Sequence, residues 1–219
     1  MGPLWTPSFI TMALWLDAAD SDTITEVSGA VSQWDDKSGN NRHATQGTPA
    51  NRPVVQANAV NNLSAISFDG SDDRLNLDGL FGTSDISVTA ISVTYKNSSG
   101  GVAYQRMYGS GSGSSGFAHE TNGIWSTPGT GSNEVEADST ARVRGASNNN
   151  ASRNFTRFKI GCEANLTLFY KGLICEIVVA SPLVSAGDYQ KLEGYLAHKW
   201  GLTANLPSDH PYKLHAPRA

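Results

Sequence analysis

Leu173-Ile174-Cys175-Glu176-Ile177-Val178-Val179-Ala180 is followed, after a short connection, by Ser185-Ala186-Gly187-Asp188-Tyr189-Gln190-Lys191-Leu192-Glu193-Gly194-Tyr195-Leu196-Ala197-His198-Lys199-Trp200-Gly201. The first stretch is a nearly unbroken apolar run of strand length, rich in β-branched residues. In the second the period changes. Tyr189, Leu192, Leu196 and Trp200 recur at spacings of three and four, with Tyr195 beside them, which is the stripe of an amphipathic helix. Ser185 suits the N-cap, Asp188 adds negative charge to the first turn, and Gly201 supplies the stop. The spacing predicts a helix over 185–200 that lays its Leu/Tyr/Trp stripe on a layer of strands, with Lys191, Glu193 and Lys199 toward water.

Upstream of this segment the periodicity is mostly two, with turn residues between short runs. Strands are predicted over 13–17, 31–35, 65–68, 74–77, 86–96, 102–108, 116–120, 140–145, 155–161 and 165–170, besides 173–180. In Ile86 to Tyr95 both faces are partly apolar, so this strand is expected to be central. Asp69-Gly70-Ser71-Asp72-Asp73 reads as a tight connection between strands. The Gly/Ser run over 109–116 and Asn148-Asn149-Asn150-Ala151-Ser152 read as loops. Many short strands without intervening helices point to an all-β fold, a two-sheet antiparallel sandwich with one C-terminal amphipathic helix. Residues 1–12 are expected to be an N-terminal arm or an edge strand, and 13–219 one sandwich domain that includes the helix.

Composition narrows the function classes. The 219 residues carry a formal net charge of −4, with scattered Lys and Arg, which is no footprint for a phosphate backbone; nucleic acid is not an expected partner. No apolar run approaches the roughly 20 residues that cross a bilayer. Met1-Gly2-Pro3-Leu4-Trp5-Thr6-Pro7 lacks the marks of a classical signal peptide. The two cysteines, Cys162 and Cys175, are expected to be free thiols, Cys175 packing as a small hydrophobe within its strand.

Leu14-Trp15-Leu16-Asp17-Ala18-Ala19-Asp20, Val31-Ser32-Gln33-Trp34-Asp35-Asp36-Lys37-Ser38-Gly39-Asn40 and Ala65-Ile66-Ser67-Phe68-Asp69-Gly70 together resemble the opening of concanavalin A-like, laminin-G-like domains of bacterial surface and phage proteins. Phe169 to Ile177 is similar to the closing hairpin of such domains, and Leu192 to Leu202 to the helix that follows it. The resemblance implies a jelly roll. It implies no single activity, because that fold serves lectins, adhesins, hydrolases, lyases and virion proteins.

Three groups of residues are candidates for a site. Asp17, Asp20, Asp35, Asp36 and Asn40, with Asp22 nearby, offer the hard oxygen ligands that Ca²⁺ takes, and the resemblance favours calcium; the alternative is that they cap turns. Glu134, Glu136 and Asp138 alternate in a way similar to the Glu-x-Asp-x-Glu strand of retaining glucanases of this fold, which hold two carboxyls about 5 Å apart. Here Glu and Asp exchange places, and a solvated acidic edge is the competing reading. Trp125, with Tyr104, Tyr108 and Phe117, is the candidate stacking surface for a sugar ring, whereas Trp15, Trp34 and Trp200 are expected in the core.

The expected function is non-enzymatic recognition or assembly: a lectin-like virion protein (capsid decoration, head fibre or tail adhesin) that meets a glycan or cell-surface polysaccharide, other virion proteins, or further copies of itself. The expected place is a virion or an extracellular surface. A glycan hydrolase or lyase using 134–138, and a structural subunit without ligand, are the alternatives.

Overall fold

The computed structural model describes residues 2–78, 88–96, 106–110, 118–120, 141–148, 157–163 and 165–219. Among them are thirteen strands: β1 Met12–Asp17, β2 Ile24–Val27, β3 Ala30–Trp34, β4 Ala44–Thr45, β5 Val54–Val60, β6 Leu63–Asp69, β7 Leu75–Asp78, β8 Val88–Lys96, β9 Arg106–Ser110, β10 Ala118–Glu120, β11 Ala141–Asn148, β12 Arg157–Ile160 and β13 Lys171–Ala180. The single α-helix of the described residues, α1, spans Ala186–Lys199.

The strands form two antiparallel sheets. One has six strands in the order β11-β8-β13-β6-β5, with β1 also pairing with β13; the other has seven, in the order β10-β9-β12-β7-β4-β3-β2. The chain is therefore the two-sheet antiparallel sandwich with one C-terminal helix that the strand pattern implies.

Two apolar layers follow from this arrangement. Between the sheets lie Leu14, Leu16, Trp34, Phe68, Leu75, Leu77, Phe158, Ile160, Ile174, Ile177 and Val179. On the other side of the six-stranded sheet, Trp15, Val93, Leu173, Cys175 and Val178 meet Leu192, Leu196 and Ala197 of α1 and Trp200 at its C-cap. Burying each large side chain of that stripe stabilises the packing by about 1.5–3 kcal/mol. β13 is buried on both faces, which explains its unbroken apolar sequence. β8 lies between β11 and β13, the central place its two-sided pattern predicts.

The helix ends as its sequence directs. Ser185 Oγ accepts the Asp188 N–H, and Gly201 stands at φ +70° just beyond the last turn, where a side chain would be strained. The 69–73 connection is also as read: Asp69 Oδ1 accepts the Ser71 N–H at 2.8 Å.

Three differences stand out. Residues 165–170 form a turn, not a strand; Leu166 and Leu168 adopt φ of +62° and +53°, which a ladder excludes. β2, β4 and β5 are additional strands. Lys199 does not face water but reaches into the sheet it covers, as described below. At the other end of the chain, Leu4 bridges Arg218, Pro7–Phe9 is a short 3₁₀ turn, and Trp5 is buried against Tyr195 at 6.4 Å.

Candidate functional site

Among the described residues, a dense polar cluster lies beneath α1. β13 carries a bulge between Ile174 and Glu176, and a bulge sets two successive residues toward one side of a sheet. Cys175 and Glu176 consequently both lie on the helix side. Glu176 pairs with Asp17 of β1, so two carboxylates become cross-strand neighbours.

Donors surround them. Glu176 is fully buried and accepts from Trp15 Nε1 at 2.7 Å, Trp200 Nε1 at 2.8 Å, Tyr195 Oη at 3.1 Å and Lys199 Nζ at 2.7 Å. Lys199 Nζ lies also 2.6 Å from Asp17 Oδ1. On the opposite side Lys37 Nζ bridges Asp17 Oδ2 at 3.0 Å and Asp20 Oδ2 at 2.6 Å, and sits 4.6 Å from the centre of the Trp15 ring. Three carboxylates thus share two ammonium groups.

The titration directions follow from that packing. Burial, and then the Asp17 charge, push the Glu176 carboxyl up against the pull of Lys199. All four partners donate, so the arrangement is that of an ionised carboxylate. Burial and the charges of Glu176 and Asp17 raise the Tyr195 phenol. The hydrogen bond from Lys37 holds Asp20 below its ordinary value. Burial works against the charged form of Lys37, but the Asp20 and Asp17 carboxylates outweigh it and raise its pKa. With every oxygen of Glu176 engaged and none exposed, the cluster fastens α1 to the sheet.

The residues grouped by sequence as calcium ligands are separated by these bonds. Asp17 and Asp20 hold lysines. Asp36 takes N–H donors from Trp15, Ser38 and Arg42, the turn-capping role that was the alternative. Asp35 lies 3.0 Å from His43 Nδ1, and Asn40 donates its amide to Met12 O at 2.9 Å. An ammonium between Asp17 and Asp20 and an Asn that donates do not fit an oxygen shell for Ca²⁺. Among the described residues the carboxylates that converge are Asp69, Asp72 and Asp73, with ligand atoms within 4.8 Å of one another. The sequence had placed these only in a turn.

The second arrangement is on the seven-stranded sheet, the layer α1 does not cover. Register places Thr25 opposite Gln33, Gln33 opposite Thr45, Thr45 opposite Asn76, Asn76 opposite Lys159 and Lys159 opposite Gly109. Paired residues share a face. Their neighbours Trp34, Leu75, Leu77, Phe158 and Ile160 fill the core, so this row is on the outer face. Thr25 and Thr45 are exposed, Gln33 and Asn76 half-buried, and Lys159 buried. At about 4.8 Å per strand, four gaps carry the row from Thr25 to Lys159 over about 19 Å. Sequence reading missed it, since its members come from five strands and only pairing aligns them.

Of the sugar-stacking candidates, Tyr108 lies in β9, paired with Ile160. Trp125, Tyr104 and Phe117 lie outside the described residues, as do Glu134, Glu136 and Asp138. Trp15, Trp34 and Trp200 are core residues, and Cys162 and Cys175 are free and buried.

No protein-family model matches the chain, and no curated protein matches it. Solved structures that align with the chain include domain 4 of AbnA, a GH43 extracellular arabinanase from Geobacillus stearothermophilus in complex with arabinotriose. Its TM-score is 0.43 at 12% identity, over 84% of this chain and 98% of that one. A GH54 α-L-arabinofuranosidase soaked with a cyclic sulfate inhibitor aligns with a TM-score of 0.46 at 14% identity, over 86% of this chain and 59% of that one. An arabinofuranosidase complexed with arabinofuranosyl-α-1,2-xylobiose aligns with a TM-score of 0.42 at 14% identity, over the same shares. The chain spans about three-fifths of the length of these last two.

Proposed function

We propose that the chain is a recognition module that binds a glycan on the outer face of its seven-stranded sheet, without transforming it. The observation that carries this reading is the row Thr25, Gln33, Thr45, Asn76 and Lys159, aligned across five strands. Amide and hydroxyl side chains both donate and accept, as sugar hydroxyls require, and a rigid sheet holds them at fixed spacing. Lys159 closes the row as a buried residue, and the accessible part, from Thr25 to Asn76, spans about 14 Å, which suits an extended oligosaccharide better than a single small ligand.

The stacking surface would come from the segments that join this row. Tyr104 precedes β9, Phe117 lies between β9 and β10, and Trp125 follows β10; both strands form one end of the same sheet. The setting that accompanies this reading is a virion or extracellular surface, which the resemblance of the chain ends implies.

A glycan array with the intact chain, beside Gln33→Ala/Asn76→Ala, tests the reading. Loss of two polar contacts should weaken binding at least about tenfold. An array without hits would leave a structural subunit, and an EDTA arm reports any dependence on calcium. Release of reducing ends from a polysaccharide that stops in Glu134→Gln would replace recognition with catalysis.

A further inference from the structure

On the opposite layer, residues 211–218 fold back over the last turn of α1 and enclose a cavity of about 670 Å³ open to solvent, a volume typical of small-ligand sites. His198, Tyr212, Leu214, His215 and Arg218 line it. None of its lining residues is acidic. The wall is a tyrosine with aliphatic residues, and the polar groups are a guanidinium and two imidazoles.

His198 and Arg218 are held in place. His198 Nε2 meets Tyr212 O at 2.8 Å; a carbonyl only accepts, so this nitrogen carries the hydrogen and Nδ1 is the other functional atom. Arg218 donates from Nη1 to Gly2 O at 2.8 Å, which anchors one corner of its guanidinium, and it pairs with no carboxylate among the described residues. A guanidinium with donors to spare matches a carboxylate in a two-bond fork. Tyr212 is itself immobilised, because its Cβ and Cγ press on Gly194 of α1.

We infer that this cavity binds an acidic sugar, a uronic acid unit whose carboxylate pairs with Arg218 while its ring lies against Tyr212 and Leu214. Both halves of the ligand are needed. A bare anion leaves the apolar wall empty, and a neutral sugar leaves the guanidinium without its partner. The site is independent of the sheet row, from which the six-stranded sheet and the inter-sheet core separate it.

Calorimetric titration of the intact chain with glucuronic acid, glucose and inorganic phosphate, together with NMR of the histidine rings, tests it. Glucuronic acid should bind in the millimolar range or tighter and shift the ring signals of His198 and His215, with glucose and phosphate much weaker. Arg218→Gln should weaken binding about tenfold or more, the loss of a charge-assisted pair. Leu214 is 80% exposed, so Leu214→Glu cannot disturb the core; its added charge should repel the ligand to a similar extent. Asn76→Ala should change nothing at this site. Equal binding of glucose or phosphate, indifference to both cavity variants, or no binding at millimolar glucuronic acid overturns the assignment.

Discussion

Asp17 and Glu176 stand opposite each other on β1 and β13, and one ammonium, Lys199 Nζ, closes on both at 2.6 and 2.7 Å. A residue of the helix thereby bridges two carboxylates of the sheet beneath it. Such an arrangement costs little when complete and a great deal when one partner is missing.

Lys199→Met leaves Glu176 buried beside Asp17 without its counter-charge. A loss of about 3–5 kcal/mol is expected. Urea denaturation followed by tryptophan fluorescence measures it, since Trp15 and Trp200 both bond to Glu176.

Asp73 gives a pH-dependent counterpart. Burial, with the Asp69 and Asp72 charges beside it, pushes its carboxyl up to about 6 against the Asp69 N–H that lowers it. A folded-state value above the unfolded one means that ionisation costs stability. The cost is absent below about pH 3.8 and complete above about pH 6. Asp73→Asn keeps an acceptor for the Asp69 N–H and removes the charge. At pH 7 it should stabilise the protein by about 1–3 kcal/mol, with the advantage vanishing at pH 4. Denaturation midpoints at four pH values between these limits decide it.

Gly194→Ala would ordinarily favour a helix by about 1 kcal/mol. Here the new Cβ would stand 2.5 Å from Tyr212 Cβ. The substitution should instead destabilise by about 1–3 kcal/mol as the 210–215 segment is displaced, which a thermal melt reports. The same variant should also weaken glucuronic acid binding, because Tyr212 is a wall of the cavity.

The thiols should be silent. Burial pushes Cys162 up to about 11 and Cys175 higher still. Neither should react with a disulfide reagent at pH 8 in the native state, and both should react in denaturant.

The sequence made the ends of the fold legible because local physics decides them. The stripe from Tyr189 to Trp200, the Ser185 cap and the Gly201 stop are read within one helix. The role of Lys199 was not legible: its position on the helical wheel suggests water, and only the bulge at Cys175 brings Glu176 to the helix side. β5 was hidden by its edge position and polar middle, Gln56-Ala57-Asn58, with Asn58 at φ +52°. The calcium grouping rested on proximity in sequence, whereas Lys37 and Lys199 approach from elsewhere. The polar row was invisible for a related reason, since pairing between distant strands creates it.

Leu4 and Arg218 bring the two ends of the chain side by side. The Trp5 N–H bonds Pro217 O at 3.0 Å and the Ala219 N–H bonds Pro3 O at 3.1 Å. Tension applied between these ends would peel that short ladder one bond at a time, each worth about 1 kcal/mol, before any load reached β1 or β13. The end pairing would act as a mechanical fuse: yielding at low force, it parts Arg218 from Gly2 and opens the wall beside α1, while the two sheets stay intact.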